Sequence, residues 1–168
     1  MRRAIRVIDQ VNGKVGMALR WLALGMILAT TYEVIARYFF NAPTVWAHQT
    51  VILLGGVFVS LSWGWVHLHQ GHVNMDILLK RLSPRGQAIT NMVCSLLFFF
   101  PLLGLMIYLS SQFMVESWVM HETWIVSIWR PPMGPSRTIL TLGFTLFFFQ
   151  GVAQFVRDAH FAIRGEKI

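Results

Sequence analysis

The sequence predicts an all-α membrane protein with four transmembrane helices, additional interfacial amphipathic helices and both termini in the cytoplasm. Hydrophobic residues make up 55% of the 168 residues and charged residues only 12%, which is outside the range of ordinary soluble domains. The apolar residues form four runs, each long enough to cross a ~30 Å hydrocarbon core as a helix of about 20 residues. The chain therefore has room for a single membrane domain, residues 1–168, and for no soluble catalytic domain beside it.

The first element is a short basic segment, residues 1–16, in which Arg and Lys are interspersed with Ala, Ile and Val at helical spacing. We interpret it as a helix that lies in the membrane interface, with a frayed basic terminus as the alternative. The first span follows at about 17–40. Near its far end Glu33 and Arg37 stand at i and i+4, which places opposite charges on one helix face. They form either an ion or substrate path or, as we favour, a self-satisfied structural pair, because a charge at membrane depth costs ~3 kcal/mol and is normally paired.

The second span runs from about 45 to 67, and a link that contains Asn, Ala, Pro and Thr separates it from the first. Thr44 is the predicted N-cap, and so short a link predicts an antiparallel helical hairpin. Within this span Gly56, Ser60 and Gly64 recur at every fourth residue. That spacing predicts a ridge of small residues along which another helix can approach closely. We expect the ridge to face a second subunit.

Polar residues crowd the end of the second span, which makes a metal site the first hypothesis to test. Of His67, His69 and His72, only the last two share a helix face, and only Asp76 joins them locally. A tetrahedral structural site requires four ligands, so we expect neither a metal nor another cofactor. The segment 73–83 then repeats Leu and Met with a helical period but is too short to span, which predicts a second interfacial helix.

Two further spans are predicted at about 88–115 and 136–156. A Ser-Pro pair precedes the third span and predicts its start, and Pro101 predicts a kink inside it. The segment between the two spans is rich in Trp and Pro, which is typical of a connection at a membrane interface. The sequence shows no Ser-His-Asp arrangement, phosphate-binding loop or paired carboxylates, so we expect no enzymatic activity.

The basic residues predict the orientation of the four spans. Eleven of the 14 Lys and Arg residues fall at the two termini and in the second connection, and such residues accumulate on the cytoplasmic side. The same distribution explains the net charge of +7 without a nucleic-acid partner. Cys94 is the single cysteine, so no internal disulfide can form.

A specific set of residues marks the spans and their connections: Glu33, Arg37 and Phe39 at the end of the first span, Trp46 and Leu54-Gly55-Gly56 in the second, Gly71, His72 and Asp76 after it, Trp129, Pro131 and Pro135 before the last span, and Gly143 and Gln150 within it. At these positions the chain resembles the small membrane subunit, or Q subunit, of a tripartite ATP-independent periplasmic (TRAP) transporter. One departure is His48-Gln49, where members of the family often carry acidic residues. A role of a carboxylate at that position is therefore not carried over.

The resemblance implies a complex in the bacterial inner membrane. Its other parts would be a periplasmic solute-binding subunit and a large membrane subunit that carries an organic acid and sodium. This chain would enlarge the scaffold of the large subunit. The matched residues would then have structural or subunit-interface roles. An alternative from a different class is the membrane anchor of a respiratory oxidoreductase, which would hold haem between two histidines.

Overall fold

The computed structural model describes residues 2–69, 83–125 and 129–164. Within these ranges it contains four long helices and no extended strand: α1 (Arg2–Phe39), α2 (Val45–Leu68), α3 (Pro84–Val119) and α4 (Gly134–Arg164). Each is long and apolar enough to cross a membrane. The predicted fold class, an all-α protein with four spans, is confirmed.

The α2–α4 pair lies at the centre of the arrangement, with α1 and α3 on its two flanks. Helix α1 packs mainly against α2, α3 packs against α4, and α4 touches all three other helices. The link of residues 40–44 makes α1 and α2 the predicted antiparallel hairpin, and Asn41 turns the chain there with a positive φ of 50°. Helices α2 and α4 are parallel to each other, because Ser60 lies against Gly143 and His67, farther along α2, contacts Phe147, farther along α4.

Contacts between the helices define which residues lie at the same height. Glu33 of α1 meets Thr44 at the start of α2, and Asn12 of α1 meets Gly64 near the end of α2. At that same end Asp9 of α1 forms an ion pair with Arg157, near the end of α4. The first and last described turns of the chain therefore lie at one end of the molecule, as a four-span protein requires.

Helix α1 differs from the prediction of an interfacial helix over 1–16 followed by a separate span. It is one continuous helix of 38 residues, about 57 Å long at 1.5 Å per residue. No proline interrupts it, and Gly16 lies so close to the Trp65 indole that this part of α1 is packed against α2. The position of residues 2–11 relative to a membrane surface stays a prediction.

Helix α3 starts as the sequence predicts, with Pro84 in the first turn and the Ser83 hydroxyl accepting a bond from the Gly86 amide at 3.3 Å. Its irregularity is a π-helical turn at Ser95–Phe99, directly before Pro101. Proline has no N–H and its ring clashes with the carbonyl four residues earlier, and a widened turn is one way to accommodate it. Helices α3 and α4 extend beyond the predicted spans of 88–115 and 136–156 at both ends.

Candidate packing and subunit-interface sites

Glu33 connects α1 to the start of α2. Its Oε1 accepts bonds from Arg37 Nε at 3.1 Å and Nη2 at 2.6 Å. Its Oε2 accepts bonds from the Thr44 amide at 3.1 Å and from the Thr44 hydroxyl. The carboxylate is buried, whereas half of the Arg37 side chain is exposed.

This geometry changes the role of Thr44. It occupies the N-cap position of α2, as predicted, but its side chain makes no capping bond within its own helix. The Thr44 hydroxyl instead donates to the Glu33 carboxylate, which also accepts a bond from the Thr44 amide. Glu33 thereby puts a negative charge at the positive end of the α2 dipole. Glu33 and Arg37 thus form the predicted pair, and Glu33 in addition fixes the hairpin.

Two other positions singled out by the resemblance also lie between α1 and α2. The Trp46 ring packs against the Tyr32 ring, with 5.8 Å between centroids, beside the Glu33 cluster. Farther along the hairpin, a Cβ added to Gly55 would meet the Met26 methyl group at 3.5 Å, which is ordinary van der Waals contact.

The predicted small-residue ridge on α2 is divided between the inside and the outside of this chain. Ser60 is 1% exposed, and a Cβ added to Gly143 of α4 would lie 2.6 Å from the Ser60 carbonyl oxygen. Gly64 is also buried, since Asn12 of α1 occupies the space that a side chain there would need. The expectation that Gly56, Ser60 and Gly64 together face another subunit is therefore corrected: the latter two pack within the chain.

Gly56 remains on the outside of α2. Nothing lies within 4 Å of a Cβ added there, and its neighbours on the same face, Ile52 and Val59, are 45% and 50% exposed. A central helix that contacts both α1 and α4 thus still presents an apolar face with a gap in its middle.

A polar network missed by the sequence analysis joins α1 to α4. Asn12 Nδ2 donates to Gln150 Oε1 at 2.8 Å, and Gln150 Nε2 donates to Asp9 Oδ1 at 3.0 Å. The other Asp9 oxygen pairs with Arg157. Asn12 and Gln150 are 1% and 0% exposed. Of these four residues, only Gln150 is a candidate site residue from the sequence, through the resemblance to the TRAP small subunit. The bonds to Asn12 and Asp9 account for its buried position.

The connection between α3 and α4 is organised around Arg137. This residue forms an ion pair with Glu122 at 2.7 Å and donates to the Phe113 carbonyl at 3.1 Å. The buried Pro131 accepts a bond from the Trp124 amide at 3.0 Å. Trp129, 40% exposed, belongs to the same connection. A sequence-based argument has little to identify the Glu122–Arg137 pair, because its members are 15 positions apart and do not belong to one helix.

The histidines at the end of α2 have separate surroundings. The His67 ring stacks on Phe99 with 5.5 Å between centroids, whereas His69 Nδ1 lies 2.9 Å from the Trp65 carbonyl oxygen. The described residues contain no group of three His, Cys, Asp or Glu side chains that could hold a metal ion. His72, Asp76 and most of the predicted interfacial helix 73–83 lie outside the described residues.

These features together define a class of protein: a polytopic membrane protein whose ion pairs lie toward the two ends of its helices. A family model described as "Tripartite ATP-independent periplasmic transporters, DctQ component" matches residues 26–161. The chain belongs to this family, and is thus a small membrane subunit of a TRAP transporter and a multi-pass protein of the bacterial inner membrane. The searches of curated proteins and of solved structures gave no significant match. The haem-anchor alternative gains no support from a family of transporter components.

Proposed function

We propose that this chain is a non-catalytic scaffold for the large membrane subunit of its transporter. In this complex the large subunit takes up an organic acid that a periplasmic solute-binding subunit delivers, and a sodium gradient drives the uptake. The chain itself provides membrane anchorage and a rigid surface and carries neither substrate nor sodium.

One observation carries this proposal: the middle parts of α2, α3 and α4 contain no charged side chain, and the middle of α1 contributes only the exposed Arg20. In α2 none occurs from Val45 to Val66, and in α4 none occurs between Arg137 and Arg157. Transporters that bind ions themselves usually place polar groups and broken helices at mid-membrane. In this chain the charged groups instead hold the structure together near its two ends: the Asp9–Arg157 ion pair joins α1 to α4 at one end, and at the other end Glu33 joins α1 to Thr44 at the start of α2.

The outer face of α2 is the best candidate for the contact with the large subunit. Because α2 lies between α1 and α4, a partner helix on this face would touch more than one helix of this chain. Gly56 would let the partner backbone approach closely, and Ile52 and Val59 would flank it. Of the three residues of the predicted ridge, only Gly56 belongs to this surface. Ser60 and Gly64 pack inside the chain.

Co-purification of the two membrane subunits tests this surface. Gly56→Leu fills the gap on α2 and should release the large subunit while this chain remains in the membrane. Gly104→Leu is the matched control, because a Cβ at Gly104 also meets no atom within 4 Å. Gly104 belongs to α3 and is not part of the outer face of α2. Unchanged co-purification of Gly56→Leu, or equal loss with both variants, would contradict the assignment.

A further inference from the structure

Helix α1 carries a row of positive charge that no other part of the described chain neutralises. Arg6 and Arg20 are exposed and make no ion pair with any described acidic residue. Positions 6, 13 and 20 are spaced by heptads and therefore share one face of the helix, with a drift of only about 20° per heptad. Asp9, the nearest acidic residue on α1, is already paired with Arg157.

The depth of Arg20 makes its lack of a partner notable. It lies eight residues, about 12 Å, farther along α1 than Asn12, which is level with Gly64 near the end of α2. Arg20 is thus inside the layer that α2 spans, where an unpaired charge is costly. Helical Cα–Cβ bonds tilt toward the N-terminus, so its long side chain can extend back toward the near membrane surface.

The space toward which it can extend is open. A Cβ added to Gly13, one heptad before Arg20, would meet no atom within 4 Å. Above this gap the same face becomes apolar, since Met17 is 55% exposed and Leu24 is 45% exposed. The order along the face is thus Arg6, the open space at Gly13, Met17, Arg20 and Leu24.

We propose that this face of α1 binds an anionic phospholipid, with the phosphate near Gly13, toward which Arg20 extends, with Arg6 adding positive charge at the membrane surface and with an acyl chain along Met17 and Leu24. The polarity of the face matches that of such a lipid, whose negative group lies at the surface and whose chains extend inward. A carboxylate of a partner protein would account for one arginine, whereas a lipid accounts for both arginines, the gap and the apolar surface. Basic groups at a membrane surface each favour anionic lipid by about 1 kcal/mol.

The test uses the complete membrane complex in nanodiscs of phosphatidylcholine to which phosphatidylglycerol is added, with bound lipid counted by native mass spectrometry. The double variant Arg6→Gln/Arg20→Gln should lower the apparent affinity for phosphatidylglycerol by roughly 30-fold, which is ~2 kcal/mol at 1.4 kcal/mol per tenfold. Gly13→Phe keeps every charge but fills the gap, and it should also lower the affinity. Arg85→Gln, an exposed arginine at the start of α3, is the matched control and should bind as the unaltered protein does.

Three results would overturn the proposal. The first is unchanged phosphatidylglycerol binding in both the double variant and Gly13→Phe. The second is an equal loss with Arg85→Gln, which would indicate attraction by net charge alone. The third is loss of the large subunit from the double variant with lipid binding retained, which would mean that the arginines contact a protein carboxylate.

Discussion

Gly143 of α4 lies directly against the main chain of Ser60 on α2. A Cβ added to Gly143 would be 2.6 Å from the Ser60 carbonyl oxygen and 2.7 Å from its carbonyl carbon. The neighbour is backbone, which cannot move aside as a flexible side chain can. This close approach of the two central helices therefore depends on the absence of a side chain at Gly143.

The first prediction is that Gly143→Ala destabilises the chain by about 1–3 kcal/mol, the usual cost of overpacking a well-packed site. The α2–α4 pair would have to separate to admit the methyl group. Unfolding of the purified protein in mixed micelles with increasing SDS measures the change.

Gly104→Ala is the matched control for this variant. Gly104 is also in a helix but has open space around it, and alanine is the better helix former by up to ~1 kcal/mol. The control should be neutral or stabilising. Equal behaviour of the two variants would refute the close contact.

The second prediction is that Glu33→Ala destabilises the chain more than Arg37→Ala does. Glu33 accepts bonds from both Arg37 and Thr44, whereas Arg37 is half exposed and can turn to solvent. The same SDS titration should also show non-additivity, with the double variant less destabilised than the sum of the two singles. Strict additivity would indicate that the two side chains act independently.

The Glu33–Arg37 pair and the small-residue ridge of α2 differ in how far the sequence could predict their surroundings. The Glu33–Arg37 pair is local, since its members are four residues apart on one helix, and the helical period brings them together. The exposed Gly56 and the buried Ser60 and Gly64 have the same four-residue spacing, yet they do not share one environment. Spacing identifies a face of a helix, but which neighbour covers each position depends on how all four helices pack.

The polar network could not be derived from the sequence for the same reason. Asn12 and Gln150 are 138 residues apart, and a polar residue near the end of an apolar run normally indicates only the membrane interface. The four spans were predictable because their apolar runs are long, and the hairpin because its link is short. Pro101 predicted an irregularity in the third span, and the structure has a π-helical turn directly before it. The continuity of α1, by contrast, depends on packing that no local pattern reports.

The third prediction concerns this network: Gln150→Leu should destabilise the chain by about 1–3 kcal/mol. The substitution keeps the volume roughly constant but removes one bond from the buried Asn12 and one from Asp9, whose side chain is 27% exposed. An unsatisfied buried group carries a cost of that size. Gln112→Leu on the exposed face of α3 is the control and should change stability little. Comparable thermal unfolding of both variants would argue against the network.

The fourth prediction is that both termini face the cytoplasm, since eleven of the 14 Lys and Arg residues belong to that side in the proposed orientation. In a Cys94→Ser background, Ala42→Cys should react with a membrane-impermeant maleimide in cells with a permeabilised outer membrane. Arg85→Cys should react only after the inner membrane is opened. The reverse pattern would invert the topology.

The central claim is that this chain is a scaffold which transports nothing itself but without which its transporter fails. The most direct measurement is sodium-driven uptake of a radiolabelled organic acid, selected by its binding to the solute-binding subunit, into proteoliposomes with each subunit omitted in turn. The account predicts uptake only when all three subunits are present, because the large subunit requires the surface that this chain provides. Uptake by this chain alone, or full uptake by the large and solute-binding subunits without it, would contradict the account.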